Sequence, residues 1–215
     1  MVQGKGAEYS MLLTQPETEK LARLIEGNHQ LPGFCRQLRG SASQNLPILE
    51  QTFDLLSAMV QQVADLAQIT CPVTATAASR HCSHVKQRLL EHSVVAGRLV
   101  FELMCFTGAS WTEPHIHPEY VIDEIIAGSL EEHMYQLQQD NAYHGVQQHV
   151  RSCGDRRVLH DPEGCPHRIR SADGCAVVLT LYLGTRPVQP IQIIGTDDVG
   201  TDRWKSNGKN SQKNN

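Results

Sequence analysis

Thr112-Glu113-Pro114-His115-Ile116-His117-Pro118-Glu119 decides how the rest of the chain is read. Side chains two apart on a β-strand point to the same face. His115 and His117 therefore aim at one spot, and neutral imidazole is the commonest protein metal ligand. A His-x-His pair alone is a weak signal. It gains weight from Pro162-Glu163-Gly164-Cys165-Pro166-His167, a turn-forming stretch that ends in a third histidine. Two histidines from one strand and one from a distant strand would close a three-nitrogen metal site inside a small barrel. Glu119 continues the alternation and stays open as an additional ligand.

The chain of 215 residues, 40% hydrophobic and 20% charged, suits a globular protein with a substantial core. A net charge of -4 and a pI near 6.2 give no reason to expect a nucleic-acid partner. No apolar run approaches the ~20 residues of a membrane helix, and Met1-Val2-Gln3-Gly4-Lys5-Gly6 lacks a signal peptide's apolar core. The seven cysteines are odd in number and contain no CxxC pair. Reduced thiols in a cytoplasmic protein are the simplest expectation, and a zinc ribbon is not expected.

Outward from the histidines, the two halves of the chain differ. Thr14-Gln15-Pro16-Glu17 reads as a helix start, and Leu31-Pro32-Gly33 as its break. Apolar residues from Ile48 to Ala67 recur at helical spacing, with Cys71-Pro72 as the stop. A third helix is expected over roughly Thr76 to His92. Leu99 to Phe106 then reads as a buried strand, and Val177 to Leu183 as the most strand-like run of all. Between them stand Gly108, Gly128, Asp140-Asn141, Gly154, Pro162-Glu163-Gly164 and Ala172-Asp173-Gly174. Short strands with such punctuation predict a β-sandwich or barrel. The expected division is a helical region over 1–92, a barrel over 93–195 and a disordered polar tail over 196–215.

The spacing Gly108, His115-x-His117, Gly128, then Gly154, Pro162-x-Gly164-x-x-His167 resembles the two signature motifs of the cupin superfamily. That resemblance implies a mostly β fold, a double-stranded β-barrel (jelly roll) preceded here by helices, with Gly128 marking a hairpin turn. The family's usual glutamate ligand would fall at Val121 or Ile122. Three histidines without that glutamate make the chain similar to the cysteine dioxygenase family of thiol dioxygenases. The bacterial branch, which includes 3-mercaptopropionate dioxygenases, is the nearer likeness. The resemblance covers roughly residues 80–190. It implies Fe(II) held by His115, His117 and His167, and Arg88, in Gln87-Arg88-Leu89-Leu90, as the grip on a substrate carboxylate. It implies a hydroxyl at Tyr182 pointing toward the iron. The family's Ser-x-His-x-Tyr reads Val178-Leu179-Thr180-Leu181-Tyr182 here, so Thr180 stands at a substrate-facing histidine position.

The expected function is therefore oxidation of a small carboxylate-bearing thiol by O2 to its sulfinate, in a monomer or homodimer without nucleic-acid or membrane partners. Another metal-dependent cupin enzyme and a non-catalytic ligand-binding cupin are the alternatives. His81-Cys82-x-His84 carries ligand types but is expected on a helix, where these positions diverge. His133, His144, His149 and His160 show no partner pattern and read as surface or loop residues.

Overall fold

The computed structural model describes residues 12–39, 42–69, 84–107, 110–137, 142–160, 166–185, 189–190 and 204–205. Three helices come first: α1 (Gln15–Glu26), α2 (Leu31–Gln37) and α3 (Ala42–Gln61). Thr14 caps α1, its hydroxyl and backbone N–H both meeting the Glu17 carboxylate at 2.7 Å. Leu31-Pro32-Gly33 does not break a helix but opens α2. Proline is tolerated there because a first-turn N–H has no intrahelical partner.

The strands are β1 (His84–Val94), β2 (Gly97–Thr107), β3 (His115–Ile116), β4 (Tyr120–Leu137), β5 (Ala142–Ser152), β6 (Arg156–His160), β7 (His167–Gly184), β8 (Gln189–Pro190) and β9 (Trp204–Lys205). All pairings are antiparallel. The mostly β fold with helices at its start is the one expected. The third helix is not: His84 to His92 belong to β1. A bulge between Arg88 and Leu90 resets the strand's phase, so Leu89 and Leu90 both reach the core. Two adjacent apolar residues beside a bulge imitate helical spacing. The remainder of that expected helix, 76–83, lies outside the described residues, as do Cys71-Pro72, Gly108, Asp140-Asn141 and Pro162-Glu163-Gly164. Of the expected tail, Trp204–Lys205 is described and pairs with Ala142–Tyr143 of β5.

β4 and β7 are 18 residues each, longer than the short strands expected. Gly128 is not a hairpin turn. It lies within β4, at φ 73°, between two register shifts against β7. There Gly128 faces Ala176 and Leu130 faces Ser171, so residues 172–175 of β7 make an excursion without a β4 partner. The single sheet folds over at this point. One half contains β1, β2, the end of β7, the start of β4 and β6. The other contains β3, β8, the start of β7, the end of β4, and β5.

Period-two alternation divides the side chains of the first half. Leu99, Phe101, Leu103, Leu179, Leu181 and Leu183 face the helices and share a core with Leu21, Leu49, Phe53, Leu56 and Val60. Phe53 meets Phe101 edge to face at 6.0 Å. Met104, Phe106, Ile125, Leu130, Ile169 and Val178 face inward and form a second cluster between the two halves. The interior thus belongs to the site, and the helices close the other face.

Gly128 and Gly154 both hold positive φ, at 73° and 89°, but differ in surroundings. A Cβ at Gly128 would run into the Cys175 carbonyl oxygen and meet Ala176 Cα at 3.0 Å, whereas one at Gly154 meets nothing within 4 Å. Gly154→Ala is expected to cost only the backbone term, about 1–2 kcal/mol. Gly128→Ala should cost more than that in a denaturant titration, because the fold-over itself must shift. Equal losses at the two sites would show that β7 yields freely at the bend.

Candidate metal centre

The loop leading into β3 is tied to β7 before the histidines begin. Thr112 donates its N–H to the Ile169 carbonyl at 2.8 Å, and its hydroxyl accepts the Ile169 N–H at 3.0 Å. His115 then pairs with His167 in the β3/β7 ladder. The register brings two sequence-distant histidines opposite each other, and the alternation of His115 and His117 adds the third. His167 Nε2 lies 3.2 Å from His115 Nε2 and 2.5 Å from His117 Nε2. These three residues form a group able to hold a metal ion.

Hydrogen bonding fixes which ring nitrogen is available. His115 Nδ1 is 2.8 Å from the Glu113 carbonyl oxygen, which can only accept, so Nδ1 carries the proton. His167 Nδ1 donates to the Glu132 carboxylate. His115 Nε2 is therefore a bare lone pair, and His117 and His167 direct their Nε2 atoms to the same spot. Three ring nitrogens converging in this way fit a cation, and carboxylate or carbonyl support of the far nitrogen is usual behind a metal-bound histidine. Burial, then the neighbouring His167, pushes His115 down to about 3, and burial also holds His117 well below the ordinary histidine range. Both remain neutral and able to coordinate near pH 7.

Behind the histidines lies a buried charge network. Glu132 is 1% exposed and receives Arg157 at 2.5 Å and His149 Nε2 at 3.1 Å in addition to His167. Burial alone would raise its carboxyl, but His167 and Arg157 outweigh it and hold the group well below the carboxylate range. Arg157 also meets Asp123 at 2.6 Å, and Arg151 meets the other Asp123 oxygen at 2.5 Å. Two carboxylates and two guanidiniums thus compensate each other inside the barrel, as buried charge requires.

A small cavity opens beside His117. Thr180 and Tyr182 line it together with Asp123, Glu132 and Arg157. The alternation of Val178, Thr180 and Tyr182 toward one face holds, since all three line this cavity. The Tyr182 ring stacks on His117 at 5.2 Å, 18° from parallel. Burial first, then the charges of Glu102 and Asp123, push the phenol above its ordinary range, so Tyr182 keeps its O–H.

Other candidates lie elsewhere. Arg88 does not line the cavity. Its side chain is half exposed and is engaged by Glu91 and, at 3.3 Å, by Glu102. Glu119 accepts from Thr185, from its N–H at 3.0 Å and its hydroxyl at 2.9 Å, and is not in the three-histidine group. His84 is the first residue of β1, not helical, and stacks on Phe106 at 5.3 Å; His81 and Cys82 lie outside the described residues.

Two histidines read as surface or loop residues without partners have them. His149 pairs with Glu132, and His133 packs on Tyr135 with ring centroids 4.8 Å apart. His160 is exposed and stacks on Tyr120 at 4.6 Å. Glu132, Asp123, Arg151 and Arg157 escaped the sequence reading. Asp123 left a trace, as an acid sharing one face with the apolar Val121 and Ile125. Glu132 left none, because the bend at Gly128 breaks the phase that would identify it as inward.

No protein-family model matches the chain, and a comparison with curated proteins gives no match. Solved structures similar to it include a cupin 2 conserved barrel domain protein from Leptotrichia buccalis, at 17% identity, 46% of this chain, 40% of that one and TM-score 0.36. The Lactobacillus farciminis oxalate decarboxylase formate complex matches at 14% identity, over 50% of this chain and 31% of that one, with TM-score 0.39. An oxalate oxidase in complex with the substrate analogue glycolate matches at 17% identity, over 59% and 64% of the two chains, with TM-score 0.41.

Two measurements check the centre. Glu132→Gln keeps the side-chain shape but removes the charge behind His167, and metal affinity should fall about 10- to 100-fold. An unchanged affinity, read by competition with a chelator, would detach Glu132 from the centre. Metal-free protein should also lose stability in acid. Between about pH 6.5 and 3 the unfolded chain binds a proton at His115 that the folded chain refuses. The unfolding free energy therefore falls as pH falls through that window. The urea midpoint of metal-free protein should be lower at pH 5 than at pH 7, and a His115→Gln variant should show a smaller drop.

Proposed function

We propose that the protein is an iron-dependent oxidoreductase that joins both atoms of O2 to the sulfur of a small carboxylate-bearing thiol, giving the sulfinate. The observation that carries this reading is the set of three imidazoles converging beside a buried tyrosine. His115, His117 and His167 would hold Fe(II). The ion would supply adjacent open positions for thiolate and O2 and would favour the thiolate by lowering the thiol's pKa. The balance is RS⁻ + O2 → RSO2⁻, with no external electron donor.

The chain's own residues then have separate tasks. Glu132 and the Glu113 carbonyl keep two imidazoles in the tautomer that presents Nε2. Tyr182 stays protonated and can donate its O–H toward the reacting sulfur or oxygen. Thr180, opposite Asp123 in the β7/β4 ladder, adds a small polar wall where a bulkier side chain would shorten the cavity. Met104, Phe106 and Val178 make the remaining wall apolar, which suits a short carbon chain and excludes bulk water.

The test is O2 consumption by Fe(II)-loaded protein with 3-mercaptopropionate and with cysteine, with sulfinate identified as product. Tyr182→Phe should keep fold and iron but lower thiol oxidation about ten- to a thousand-fold, as for loss of one positioned donor. Iron-loaded protein that consumes no O2 with either thiol would end the thiol reading. Full activity in Tyr182→Phe would remove the hydroxyl from the reaction.

A further inference from the structure

His149 stands on β5 directly opposite Glu132 of β4, and its Nε2 lies 3.1 Å from Glu132 Oε2. Directly opposite residues of an antiparallel pair share one side of the sheet. Glu132 points inward to His167, so His149 is on the inward side too. It is not one of the three converging rings. Its side chain is 30% exposed, against 1% for Glu132, 3% for His167 and 13% for Arg157. His149 is thus the member of this network that can be replaced with the least damage to the packed interior.

The two oxygens of Glu132 are loaded unequally. Oε1 receives both His167 Nδ1 and Arg157 Nη1. Oε2 has His149 as its ion-pair partner among the described residues. Contacts on Oε1 alone would leave the carboxylate free to turn about its last bond, because that torsion in glutamate is broad rather than held in staggered wells. A contact on Oε2 is what defines the plane. Arg157 does not provide it, since its Nε and Nη2 both go to Asp123, at 3.0 and 2.6 Å.

We infer that His149 is a positioning residue of the metal centre: it fixes the plane of the Glu132 carboxylate and, through it, the aim of the His167 ring. The inference rests on the metal-centre part of the proposed function and not on the identity of the substrate. The acceptor on the far nitrogen of a metal-bound imidazole sets the ring's orientation. A carboxylate turned out of its plane either drags His167 Nδ1 along or lets it go. In both cases His167 Nε2 leaves the point where it meets His115 and His117. The effect of His149 therefore passes through Glu132.

Cobalt gives two readouts that need no turnover: its visible ligand-field bands and its affinity against a competing chelator. His149→Gln and His149→Asn form the decisive pair. Both are neutral amides, but the glutamine nitrogen reaches the place of the histidine Nε2 and the asparagine nitrogen only that of Nδ1. His149→Asn should weaken cobalt about 10-fold and shift the bands, and His149→Gln should stay within about threefold of wild type. His149→Leu, with no donor at all, should behave as His149→Asn does. In a Glu132→Gln background, His149→Asn should change affinity by less than about twofold, because the route is already cut. Wild-type affinity and bands in His149→Asn and His149→Leu would overturn the inference. So would a loss in His149→Gln as large as in His149→Asn, or full additivity with Glu132→Gln. Wild-type protein that takes up no cobalt would remove the metal centre and this inference together. If the variants behave as expected but the iron-loaded protein oxidises neither thiol, the thiol reading fails and the role of His149 stands.

Discussion

The hydrogen bond from His167 to Glu132 is the interaction on which the interior depends. It orients the His167 ring so that Nε2 faces His115 and His117. It also requires an ionised carboxylate in a place where burial opposes ionisation. Arg157 resolves that conflict and brings Asp123 with it, and Asp123 brings Arg151. One donor–acceptor pair thus obliges the barrel to bury three further charged groups. Removing any member leaves its neighbour as an uncompensated buried charge, which costs far more than the pair contributes when intact.

That network can form only because the sheet folds over. Asp123 and Glu132 lie on the same strand, on either side of Gly128, and Arg157 reaches both. A straight strand would hold positions 123 and 132, nine residues apart, roughly 30 Å from each other. The bend brings them to one guanidinium. The site is therefore assembled by backbone geometry at a glycine remote from the ligands in function.

The sequence exposed what depends on local alternation. His115-x-His117 and Val178-x-Thr180-x-Tyr182 kept their faces because no bulge interrupts either run. The reading failed where phase is reset. The bulge at Arg88/Leu90 made β1 resemble a helix, and the double register shift around Gly128 hid the inward course of Glu132.

β4 and β7 pair with each other through both halves of the sheet and carry other strands on their outer edges. Their amide hydrogens are the most enclosed of the ladder, so exchange with solvent there requires the whole fold to open rather than one edge to fray. His167, Glu132 and Tyr182 all sit on these two strands. The groups around the centre are thus fastened to the strands whose amides exchange only when the whole fold opens.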